Sequence, residues 1–134
     1  MSDKFDPEQF EQLSRIPLGL YAATIAKEGN LPPDCLNYFR KNSKRWDGQH
    51  LEMGLLFLSK IDSDEVRHEI ISHLGHPLKH IRLSVLGFMD QMNHFDDYAL
   101  AKINERLPSV TEDFEKDWIN QIHEKVTKWI QSRC

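Results

Sequence analysis

Apolar residues recur at spacings of three and four from Leu51 to Ile130. Nowhere does the chain alternate apolar and polar residues with the β-branched enrichment of a strand. A stripe of period 3.6 belongs to a helix burying one face, whereas a half-buried strand needs period two. The fold class is therefore all-α. The six glycines and six prolines fall mostly between periodic segments, where they end one helix and open the next.

About seven helices are expected. The first, 7–15, has Asp6 as N-cap and Pro7 at its first position. The second, 18–28, ends at Gly29. The third opens at Pro33 after the Pro32–Pro33 pair. The fourth, 48–61, capped by Asp47, is apolar nearly all round and should sit at the centre of the core. The fifth, 64–74, buries Val66, Ile70, Ile71 and Leu74. The sixth, 77–92, should take Pro77 as its first residue, with Ile81, Val85, Phe88 and Met89 inward. The seventh, 96–107, ends at Pro108. Ser109 to Glu112 reads as a capping box for a final helix reaching Gln131, with Phe114, Trp118, Ile122, Val126 and Ile130 inward. Phe57, Leu58, Val85, Phe88 and Met89 are expected to share one core.

The 134 residues suit a single domain spanning 1–134. The longest apolar run, Leu55 to Leu58, falls far short of the roughly 20 residues a membrane span requires. The start of the sequence lacks the basic and apolar segments of a signal peptide, so a cytoplasmic location is expected. Cys35 and Cys134 are then expected to remain thiols. Cys35 has no neighbouring base to make it a nucleophile.

Motifs of catalysis do not occur. There is no glycine-rich phosphate loop, no Gly-x-Ser-x-Gly and no His-Glu-x-x-His. His73, His76 and His80 cluster without an acidic ligand at a metal-binding spacing, so no metal or other cofactor is expected. Asp96–Asp97 and Glu112–Asp113 lie at helix starts, where they answer the helix dipole. A non-enzymatic protein is the reading.

Net charge is −4, unevenly spread. Arg40, Lys41, Lys44 and Arg45 lie together ahead of Trp46, whereas the segment from Asp62 to Asp117 holds twelve acidic residues against six basic ones. Four basic contacts would give only weak, salt-sensitive binding to a nucleic acid, and the acidic half would repel its backbone.

A shift of 31 residues lays Leu55, Phe57, Leu58 and Ile61 over Leu86, Phe88, Met89 and Met92. Asp64–Glu65–Val66–Arg67 with Ile70, Ile71 and Leu74 is followed by Leu74–Gly75–His76–Pro77 with Ile81, Arg82, Val85 and Met89. This acidic-turn, arginine and apolar-stripe pattern resembles HEAT-like repeats across about residues 49–107. The resemblance implies antiparallel helix pairs stacked as a short α-solenoid, flanking helices acting as caps, and an arginine bracing the stacked turns. Some HEAT-like proteins bind or repair DNA, which is the alternative reading.

Stacked helix pairs present side chains to a protein partner. The stripes leave Glu65, His68 and Glu69 on one side of the fifth helix and Asp97, Tyr98 and Glu105 on one side of the seventh. With Asp90, these seven residues form the candidate partner-binding face, acidic and suited to steering a basic protein. In overall profile the chain is similar to a bacterial toxin-immunity protein, whose partner would be a basic toxin domain. An adaptor or assembly factor would use the same residues.

Overall fold

A computed structural model describes residues 7–12, 20–22 and 31–133. Seven α-helices and no strand occur among them: α1 (Pro7–Phe10), α2 (Pro33–Asn42), α3 (Gly48–Ser59), α4 (Asp64–Ile71), α5 (Lys79–Gln91), α6 (Asp97–Arg106) and α7 (Asp113–Gln131). Residues 20–22 are also helical. Most of the expected second helix, with Gly29, lies outside the described residues. None of the described helices is long and apolar enough to cross a membrane. The chain divides into two compact units, Met1–Arg67 and His68–Cys134, the division falling inside α4.

The first unit is organised around Phe10. α1 is only four residues long, yet the Phe10 side chain is fully buried. Its ring meets Tyr38, Phe39, Trp46 and Phe57 at centroid distances of 5.8, 6.4, 5.8 and 5.2 Å, three of them edge-on. Edge-on contact sets the positive rim of one ring against the negative face of the next. The adjacent Glu11 fixes this plug by polar bonds. Its Oε2 accepts from Tyr38 Oη at 2.5 Å, Arg45 at 2.6 Å and Trp46 Nε1 at 3.3 Å. Burial raises the Glu11 pKa, but the bonds from Tyr38 and Arg45 outweigh it and hold the carboxyl below its ordinary value. α3 crosses this cluster at Gly54, where a Cβ would come within 2.9 Å of Phe39. Asp47 caps α3, accepting from His50 N–H at 2.7 Å.

The second unit is tied together by Glu115. This residue lies in the first turn of α7 and is 2% exposed. Arg82 of α5 donates to both its oxygens, at 3.0 and 3.3 Å, and Arg106 of α6 donates at 3.3 Å. Arg82 also reaches the carbonyls of His76 and Pro77 at 2.9 and 3.0 Å. Three helices and the turn ahead of α5 thus share one ionic centre. Around it Ile81, Val85, Leu86, Met89, Ala99, Ile103, Ile119, Ile122 and Val126 are buried. Lys79 bonds Glu112, Arg82 bonds Glu115, and Lys125 bonds the Asp90 carbonyl. Residue numbers rise together along both helices, so α5 and α7 run parallel.

Four expectations change. α5 starts at Lys79 with Leu78 as N-cap, so Pro77 lies outside the helix. The bonds from Arg82 hold the His76 and Pro77 carbonyls, and His76 Nδ1 takes the Leu78 N–H at 3.0 Å. The capping box does not form: Leu107–Ser109 is a 3₁₀ turn, and Glu112 takes the N-cap position with its side chain bonded to Lys79. The buried stripe of α7 is Glu115, Ile119, Ile122 and Val126, which leaves Phe114 66% exposed. Finally, Phe57 is buried in the first unit, whereas Phe88 is half-buried in the second.

Truncating Phe57 to Ala should cost about 3–5 kcal/mol, as for other buried aromatics. Phe88→Ala should cost clearly less, because part of its surface is already wet. Urea denaturation of the two variants checks the order.

Glu115→Gln leaves two arginines short of their counter-charge and should lower stability by about 3 kcal/mol at neutral pH. Burial raises the Glu115 pKa, but the bonds and charges of Arg82 and Arg106 outweigh it and depress it overall. A depressed folded-state pKa gives stability that is present above the unfolded value and lost as pH falls through the folded one. The gap between wild type and variant should therefore close in acid, which a pH series of denaturation curves would show.

Candidate protein-binding site

Asp96 centres the acidic region of the second unit. It is the N-cap of α6, and its Oδ1 accepts from Ala99 N–H at 3.3 Å. Its other oxygen, Oδ2, lies 2.6 Å from His68 Nε2. The His68 ring lies against Tyr98 with centroids 4.5 Å apart. On the next turn Lys102 Nζ stands 5.6 Å over the Tyr98 ring and 3.7 Å from Glu105. His68, Tyr98 and Glu105 therefore belong to one chain of contacts on α4 and α6, and Asp97 is exposed beside it.

The remaining expected residues are placed differently. The Glu69 carboxylate is 11% exposed and faces His73 at 3.3 Å, so it is turned from the surface. Asp90 is exposed at the far end of α5, and no described contact joins it to the His68–Tyr98 group. Glu65 is exposed in the first turn of α4 and belongs to the first unit. Asp96 was read in the sequence only as a helix start. Its second bond reaches back 28 residues, and no local spacing signals that.

The other candidate clusters are placed as follows. Arg45 bonds Glu11, Trp46 packs against Phe10, Phe39 and His50, and Arg40, Lys41 and Lys44 are exposed. The His73 and His76 rings are 6.3 Å apart. Burial, then His73, His80 and Arg82, hold the His76 imidazole below its ordinary pKa. That favours the neutral ring whose Nδ1 accepts from Leu78. Among the described residues no group of three or more His, Cys, Asp or Glu side chains is placed to hold a metal ion. Burial, and then the Asp34 charge, push the Cys35 thiol up to about 12. A thiol so rarely ionised is a poor nucleophile.

Compared with protein-family models, curated proteins and solved structures, the chain matches none.

Cys35 should resist thiol reagents at pH 8 in the folded protein and react once urea unfolds it. Mass spectrometry of the labelled peptide checks this without interference from Cys134.

Proposed function

We propose that this chain is a non-enzymatic protein-binding module of HEAT-like build that receives a basic protein, in the manner of an immunity protein covering a toxin domain. The observation that carries the reading is a division of labour among the carboxylates of the second unit. Glu115, Asp96, Glu112 and Glu69 are each bonded to a basic or imidazole partner. Asp97 and Glu105 stand exposed on α6 to either side of Tyr98 in sequence, and among the described residues Glu105 meets Lys102 at 3.7 Å. Surplus surface charge beside an aromatic ring suits recognition, because charge steers the encounter and the ring supplies contact area. The parallel course of α5 and α7, with α6 between them in the chain, is what two successive helix pairs of a solenoid would give. Arg82 holding the turn carbonyls fits the bracing arginine of such repeats.

The test is association with the product of the neighbouring reading frame. Asp97→Lys with Glu105→Lys should slow association about tenfold at low salt and flatten its salt dependence. Stability should fall by no more than about 1 kcal/mol, from the lost first-turn charge at Asp97. Arg40→Glu with Lys44→Glu should leave binding unchanged. Loss of binding in that pair alone would overturn the reading.

A further inference from the structure

We propose that the outward side of α7 is a self-association surface, on which a second copy of this chain docks antiparallel to the first. The inference uses none of the α4 and α6 carboxylates and stands apart from the function proposed above.

α7 carries two stripes. The buried one is Glu115, Ile119, Ile122 and Val126. Beside it run Phe114, Trp118, Gln121, Lys125 and Trp129, at spacings of three and four. Phe114 is 66% exposed, and its ring meets the half-buried Trp118 edge-on at 5.8 Å. Trp118 lies over Gly87 of α5, 3.9 Å from where a Cβ would stand. Further along, Gln121, Glu124, Lys125, Lys128 and Trp129 line a shallow groove of about 500 Å³. Trp129 also meets the buried Phe95 edge-on at 6.3 Å, so Trp118 and Trp129 each spend one face on the fold and leave the rest of the ring open, while Phe114 stands outside the core altogether.

Charge along the stripe identifies the occupant. Asp113 and Asp117 are exposed beside Phe114 and Trp118. Lys125, Lys128 and Arg133 accompany Trp129, with the Arg133 guanidinium 4.4 Å over its ring. Lys116 projects about 160° from Phe114 at the helical pitch, away from this side. Glu124 is the acidic exception among the cations, and Lys128 answers it at 2.9 Å. A helix face acidic at its start and basic at its end is complementary to its own reverse. Antiparallel pairing about a two-fold axis sets Asp117 near Lys128 and Trp118 near Trp129 at the helical pitch, and brings the end of the face that carries Asp113 against the end that carries Arg133. The contact is isologous and closes at two copies. Parallel pairing would instead set acid on acid, which is repulsive. The 19-residue α7 is about 28 Å long. One helix supplies less than the ~800 Å² per partner of a standard interface, so a weak, reversible dimer is expected.

Sedimentation equilibrium of the full chain, up to about 500 µM, tests this. The wild type should show a monomer–dimer equilibrium. Asp113→Lys with Asp117→Lys, and separately Lys128→Glu with Arg133→Glu, should each weaken it at least tenfold. Combining all four changes restores the complementarity in reverse and should bring the constant back to within about threefold. Phe114→Ser, at an exposed position that leaves the core intact, should weaken it as well, and circular dichroism checks that each variant is folded. A wild type monomeric throughout would overturn the proposal. So would a dimer indifferent to Phe114→Ser and both charge sets, or one that the fourfold variant fails to restore.

Discussion

The second unit depends on a carboxylate that solvent barely reaches. Glu115 can be ionised there only because two guanidinium groups meet it, and those groups are fixed by helices whose positions it in turn determines. An ionic centre of this kind is directional in a way that apolar packing is not. Leucine and isoleucine stripes tolerate sliding and rotation, but a fork of N–H donors on a carboxylate accepts one register. The parallel alignment of α5 and α7 follows from that register. So does the rotation of α7 that turns Phe114 outward.

The first unit uses the opposite device. Its centre is an aromatic cluster closed by Phe10, and the polar bonds of Glu11 lie at the edge. Here shape is the constraint. Gly54 marks how close α3 comes to Phe39 and Trp46, since even a methyl group would collide. One basic residue near this cluster serves it: Arg45 clamps Glu11, so a patch that looks cationic in sequence is partly neutralised in the fold.

What the sequence makes legible is what neighbouring residues decide. Asp47 is an N-cap as its type foretells, and Asp96, legible only as a helix start, caps α6 in the same way, because the bond each makes lies three residues away. The all-helical class is equally local, resting on the period of Leu51 to Ile130. Misreadings arise where distant partners intervene. Phe114 has the spacing of an inward residue, yet Glu115 takes that place because Arg82 lies opposite it, 33 positions earlier. Pro77 has the look of a first helical residue, yet Arg82 draws its carbonyl aside. Of the candidate face, the types of His68, Tyr98 and Glu105 are legible and their grouping is not, since Asp96 joins α4 to α6 by a bond with no sequence signature. Glu69 fails as a surface residue for a local reason, the His73 imidazole one turn on.

The placement of Phe10 bears on when the first unit can fold. Its ring partners lie 28, 29, 36 and 47 residues further along the chain. During synthesis, α1 emerges early and has nothing to bury against until α2 and α3 have followed. At roughly 5–20 residues per second, that interval is a few seconds in which an apolar ring remains uncovered. Contacts of such sequence separation also raise the loop-closure cost of the folding transition. The earliest described helix is thus secured only once α2 and α3 have been made, and the Glu11 bonds to Tyr38, Arg45 and Trp46 then hold it in place.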